Sequence, residues 1–195
     1  MGKDTGWIRD GIAASAAMIG GLAESVDVIG DMGDVIVGAL KVGNKVLTAG
    51  NGGSAAEALH MSEEFVGRFR NNRRSLPAVS LAADPTAITC IGNDFGFDEI
   101  FSRQVEGLGK AGDVLVVFST SGNARNLSRA IEAARDAGMI TVALLGRDGG
   151  PLAGAADHEL IVSGDATERI QEAHQVVVHL LLDAAEQTFW SDDVL

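Results

Sequence analysis

An apolar run of strand length, closed by a turn of small polar residues and passing at once into a helical pattern, occurs twice in this chain. The first is Lys45-Val46-Leu47-Thr48-Ala49, followed by Gly50-Asn51-Gly52-Gly53-Ser54. The second is Val114-Leu115-Val116-Val117-Phe118, followed by Ser119-Thr120-Ser121-Gly122-Asn123. Strand, turn, helix in this order builds a mainly parallel sheet covered by helices on both faces. Further strands are predicted near 78–82, 141–145 and 159–162, and helices over 54–68, 97–108, 123–137 and 167–190. The result is a three-layer α/β/α architecture on a five-stranded sheet.

Before the first strand, Ile8, Ile12, Ala16, Ile19 and Leu22, then Val28, Met32, Val35, Ile36, Ala39 and Leu40, recur at helical spacing and predict two amphipathic helices. With 195 residues, 46% of them hydrophobic, the chain is long enough for one substantial core and short for two, so one domain is expected. The net charge of −12 argues against a nucleic-acid partner, which would need clustered Lys and Arg. The one short basic stretch, Arg68 to Arg74, suits a solvated loop that meets a small anion. A single cysteine, Cys90, allows no intrachain disulfide. No uninterrupted apolar stretch approaches the roughly 20 residues that span a bilayer, so no membrane contact and a cytoplasmic location are expected.

In open parallel sheets, ligands bind beyond the carboxyl ends of the strands, and both small-residue turns fall there. Glycines let the backbone approach a ligand, and a helix amino terminus offers unpaired N–H groups to an anion. An ordinary strand-to-helix turn capped by Ser54 would need the same residues. Three adjacent hydroxyls, Ser119, Thr120 and Ser121, exceed what capping requires and suit a phosphate group, without the lysine of a nucleotide P-loop. His60 and Glu64, four residues apart, share a helix face close to the glycine turn. Glu63 points about 100° away and is expected in solvent. The last helical pattern carries Gln171, His174 and His179.

With these motifs in place, the chain resembles the sugar isomerase (SIS) domain family, and within it the bacterial isomerases of seven-carbon sugar 7-phosphates. The likeness runs from about 45 to 182 and rests on Gly50-Asn51-Gly52-Gly53-Ser54, His60 with Glu64, Gly67-Arg68, Gly92-Asn93-Asp94-Phe95-Gly96-Phe97, Ser119-Thr120-Ser121-Gly122-Asn123, Asp148-Gly149-Gly150, and Arg169-Ile170-Gln171-Glu172 with His179. The resemblance implies one flavodoxin-like SIS domain over 1–195, with leading helices at 1–43 used in oligomerisation and an α/β core at 44–190.

It also implies an isomerase that interconverts D-sedoheptulose 7-phosphate and D-glycero-D-manno-heptose 7-phosphate through an enediol, in heptose biosynthesis. By that similarity Glu64 is the base and His179 the acid. Asn51, Gly52, Gly53, Ser54, Glu64, Arg68, Asn93, Asp94, Ser119, Thr120, Ser121 and Gln171 bind substrate, and zinc is held by His60, Glu64, Gln171 and His179. Where the family has a further serine after Gly122-Asn123, this chain has Ala124, and one substrate contact is expected to be lost. The alternative is a non-catalytic sugar-phosphate-binding SIS protein, such as relatives that bind the replication initiator; it would need the loops but neither Glu64 nor His179. Gln171 and His179 are separated by about 12 Å along a helix axis. A homotetramer with interface active sites, and with His179 supplied across the interface, is therefore expected. His174 is a reserve ligand or acid.

Overall fold

The computed structural model describes residues 4–190; residues 1–3 and 191–195 of the single unit expected from sequence lie outside the described residues. Five strands, β1 (Val46–Gly50), β2 (Ala78–Ser80), β3 (Val114–Ser119), β4 (Ile140–Gly146) and β5 (His158–Val162), make one sheet in the order β2-β1-β3-β4-β5. Every pairing is parallel. The chain adds β2 on one side of β1 and then turns back to add β3 on the other. The carboxyl ends of β1 and β3, with their two small-residue turns, therefore sit next to each other at the point of reversal.

The helices are α1 (Gly6–Gly21), α2 (Val26–Lys41), α3 (Gly53–Val66), α4 (Pro85–Phe95), α5 (Ser102–Leu108), α6 (Arg125–Asp136) and α7 (Thr167–Phe189). Alternate residues of the central strands feed two cores. Val46, Val114, Val116 and Phe118 pack with Met32, Ile36 and Leu40 of α2, Met61 and Phe65 of α3, and Val177 and Leu181 of α7. Leu47, Leu115 and Val117 face Phe101, Val105 of α5, and Leu127 and Ile131 of α6. Burial on both faces explains why these strands read as continuous apolar runs.

Three local readings need correction. The expected helix over 97–108 is a 3-10 turn, Phe97–Glu99, and then α5. The Glu99 carboxylate accepts bonds from the Ser102 hydroxyl and Arg129 Nε, offering this segment an alternative to continuous helix. The helix α4 went unread, although its start was legible: Asp84 Oδ1 accepts from the N–H groups of Thr86 (2.8 Å) and Ala87 (3.2 Å), with Pro85 in the first turn. Ser54 is not the cap of α3. Gly52, at φ 57°, takes that position and Ser54 is buried inside the first turn.

At the amino end, α1, a 3-10 turn (Leu22–Ser25) and α2 form one helical run. Gly6–Lys41 is long and apolar enough, by length and composition alone, to cross a membrane, although charged residues such as Asp10, Glu24 and Asp27 interrupt its apolar run. Its packing differs along its length: α2 buries Met32, Ile36 and Leu40, whereas none of the α1 residues is buried and Trp7 and Ile12 are exposed.

The segment after α3 is anchored by a buried carboxylate. Glu186 of α7 accepts from the main-chain N–H groups of Phe69 (3.0 Å), Arg70 (2.7 Å) and Asn71 (3.0 Å). The buried Arg73 lies 4.0 Å from Glu186 and donates to the carbonyls of Phe65 and Glu64. Glu186→Ala would strand these donors and should cost about 3–5 kcal/mol. Urea unfolding measures this, and an unchanged midpoint would refute the anchor.

Candidate active site

The site is built where α3 and α7 run side by side in the same direction. At one end, Gln171 lies against Gly53 so closely that a Cβ on residue 53 would stand 2.3 Å from Gln171 Nε2. One helical stretch later His60 and His179 meet edge to face, with ring centroids 5.4 Å apart. Phe69 stacks on the His179 ring with centroids 5.5 Å apart, its main-chain N–H held by the Glu186 anchor. Glu64 Oε1 is 3.3 Å from His60 Nε2. Glu64, His60 and His179 thus converge within a single chain, which corrects the expectation that His179 comes from across an interface. The parallel course of the two helices supplies the reach that sequence spacing alone withheld.

The environment keeps His179 neutral. Burial pushes its pKa down, and the neighbouring His60 adds to this against the pull of Glu64. Gln175 Nε2 lies 3.1 Å from His179 Nε2, so the amide donates and the ring proton sits on Nδ1. Gln175 carried no signal in the sequence beyond its spacing of four from His179. Two imidazoles and a carboxylate are the donor types that zinc takes. Glu63, exposed as expected, brings a further carboxylate to within 4.8 Å of the His60 and Glu64 donor atoms. Gln171 stands apart from this group, two turns earlier on α7.

His174 is no reserve ligand. It is fully buried beside Phe118, with Nε2 3.2 Å from the Leu145 carbonyl, so Nε2 carries the proton. Burial drives its pKa down to about 4, and the ring is a neutral core residue.

The second turn presents donors. Ser119 Oγ accepts the Gly122 N–H (3.1 Å) and Ser121 Oγ the Asn123 N–H (3.3 Å), which leaves both hydroxyl protons free for an anion. Ala124, extended at φ −93° and ψ 107°, holds the capping position of α6 without a side chain to fill it. The two turns are tied together by an amide pair that the sequence did not disclose. Asn51 and Asn126 exchange bonds, each Nδ2 to the other's Oδ1 at 2.9 Å. Asn51 therefore braces the site as well as facing it. Asn93 and Asp94, in the last turn of α4, are exposed, and Asn93 Nδ2 donates to Asp94 Oδ1 at 2.7 Å. Arg68 is exposed and donates to Asn72 at 2.9 Å. None of these three makes a hydrogen bond or ion pair with Glu64 or His179 among the described residues.

The sequence matches the SIS domain family over residues 12–146. This chain belongs to the SIS domain family. A phosphoheptose isomerase of Citrifermentans bemidjiense is 52% identical over 153 residues, covering 78% of this chain and 80% of that one. One of Fusobacterium nucleatum is 47% identical over 151 residues, 77% of each chain. Among solved structures, the phosphoheptose isomerase of Neisseria gonorrhoeae superposes with a TM-score of 0.89 at 38% identity, covering 95% of this chain and 100% of that one. That of Francisella tularensis gives 0.91 at 35% identity, again covering 95% and 100%.

Beside Gln171 lies a small cavity of about 430 Å³ that also touches Glu57 and Gln175. Glu57 is 6% exposed, and neither of its carboxylate oxygens has a hydrogen-bond partner among the described residues. Burial pushes its pKa up to about 7, with the nearby Ser54 hydroxyl pulling the other way although it makes no hydrogen bond of normal geometry to the carboxylate.

Two variants test this region. Between about pH 4.5 and 7 the folded state keeps a proton on Glu57 that the unfolded state has released, so stability falls as pH rises through that window. His174 works in the opposite sense: its contribution is complete above its unfolded value near 6.5 and is lost as pH falls towards 4. Glu57→Gln should match the parent Tm near pH 4 and exceed it at pH 8; equal Tm values at pH 8 would contradict a protonated Glu57. Ala124→Ser should add about 1 kcal/mol through the missing cap. Thermal unfolding reads this directly, and no gain would mean that the cap geometry is unusable.

Proposed function

We infer that this chain is an aldose–ketose isomerase that interconverts D-sedoheptulose 7-phosphate and D-glycero-D-manno-heptose 7-phosphate. The convergence of Glu64, His60 and His179 carries this reading, together with a hydroxyl-rich turn after β3 and the likeness to phosphoheptose isomerases along most of both chains. Ser119, Thr120 and Ser121 hold the phosphate, and Gly52, Gly53 and Gln171 border the sugar.

In the ketose-to-aldose direction Glu64 takes a proton from C1. The C–H electron pair becomes the double bond of an enediolate, and the former carbonyl oxygen on C2 takes up the negative charge. The proton returns from the Glu64 carboxyl to C2, and the O1 proton passes to O2, which leaves an aldehyde at C1. A carbon acid is weak, so the charge on oxygen must be met by a donor. The depressed pKa of His179 makes it a neutral imidazole whose Nδ1–H serves that purpose, rather than an imidazolium. If zinc binds, His60, Glu64 and His179 would hold it, His179 through Nε2 in place of its bond from Gln175, with Gln171 as an amide donor, and the metal would polarise the carbonyl as a Lewis acid.

The proposed assembly is a cytoplasmic homotetramer. The exposed apolar side chains of α1, Trp7 and Ile12, and the groove formed by Leu22, Val26, Val176 and Leu180 support an interface between copies. Glu64→Gln should lower kcat by about a thousandfold or more while leaving substrate binding within a few-fold, as expected when a proton-transfer group is lost without loss of binding surface. Turnover with sedoheptulose 7-phosphate and calorimetric binding measure the two effects, and near-normal turnover would remove Glu64 from the mechanism.

A further inference from the structure

Beyond the serine turn, on the side away from Glu64, lies a cavity of about 680 Å³ at the carboxyl ends of β3, β4 and β5. Ser121 and Asn123 line it from the serine turn, Arg147 and Asp148 from the loop after β4, and Ser163 and Asp165 from the loop before α7. Arg147 has φ 60° and is the one non-glycine residue with positive φ among the described residues. A left-handed conformation costs an L-residue energy, and it persists where the surroundings over-determine it.

The surroundings here do so. A Cβ on Gly122 would stand 2.0 Å from the Gly149 carbonyl oxygen, and one on Gly150 would stand 2.9 Å from the carbonyl oxygens of Ser121 and Gly122. Leu152 N–H closes the contact by donating to the Gly122 carbonyl at 3.0 Å. The Arg147 loop and the serine turn are therefore one rigid unit, and the guanidinium is presented from it.

Charge then selects the ligand. The serine turn offers only neutral donors, the chain carries −12, and Asp148 and Asp165 share the cavity rim. A phosphate dianion arriving there would be repelled unless a cation stood beside it. Arg147 is the only cation that lines the cavity, and it makes no ion pair with any carboxylate among the described residues. A guanidinium binds phosphate oxygens in a forked, charge-assisted way that a hydroxyl cannot. We propose that Arg147 recognises the phosphoryl group of the substrate from the outer side of the serine turn, and so sets the preference for phosphorylated sugars. This rests on the sugar-phosphate reading above.

Arg147→Ala and Arg147→Gly, assayed in the full-length protein, separate recognition from structure. In both, KM for sedoheptulose 7-phosphate and the inhibition constant of inorganic phosphate should rise together by about tenfold or more, with kcat within about threefold, as for lost binding through a charge-assisted contact. Arg147→Gly should also raise Tm, because glycine accepts the left-handed conformation freely. A structural role alone would lower Tm and leave both constants unchanged. Unchanged constants in both variants, or a fall in kcat alone, would overturn the proposal. Calorimetric titration with inorganic phosphate keeps the test independent of turnover: if the parent protein lacks isomerase activity the functional reading fails, while a loss of phosphate affinity in the variants still supports Arg147.

Discussion

The site depends on the parallel approach of α3 and α7. From Gly53 to His60 is seven residues and from Gln171 to His179 is eight, about 10 and 12 Å of helix, so the two pairs meet at matching levels. Residue 53 has no Cβ, which leaves room for the Gln171 amide to lie against the start of α3; a side chain there would force that amide to turn away. Further along, the Glu186 carboxylate gathers the main chain of 69–71 and sets Phe69 against His179. Helix register and one buried anion together place the proposed base and its imidazole partner.

The reversal of the sheet between β1 and β3 supplies the other half. It sets the glycine turn and the serine turn side by side, and the Asn51–Asn126 amide pair locks one to the other. The site is thereby divided by chemistry. In the proposed reaction, hydroxyl protons and main-chain donors serve the anionic end, while Glu64 and His179 serve the end where a proton moves. The serine turn is in turn clamped to the Arg147 loop through glycine contacts that admit no side chain, so three successive strand ends behave as one frame.

Buried ionisable groups around the site illustrate how little local sequence says about depth. Glu57 and Glu64 lie on the same helix, yet Glu57 is sealed without a partner while Glu64 reaches His60. Asn93 and Asp94, which the family likeness implies bind substrate, close a helix whose apolar side is thin and whose clearest signal is its cap at Asp84. That helix escaped because Thr86, Thr89, Asn93 and Asp94 interrupt the period on which helix reading relies.

The sequence by itself determined the strands, the two turns and the nature of the chemistry, because continuous apolar runs, small residues at strand ends and a His/Glu pair one helical turn apart are local patterns. The choice between His174 and His179 was a matter for the tertiary structure. They lie five residues apart on a helix that is apolar on most sides, about 140° around its axis, and periodicity cannot say which side meets what. Packing against Phe118 and the Leu145 carbonyl turned His174 into core, and the neighbouring α3 gave His179 its partner. A side chain's type and spacing are written along the chain, whereas its depth and its neighbours are set by elements that arrive from elsewhere in the fold.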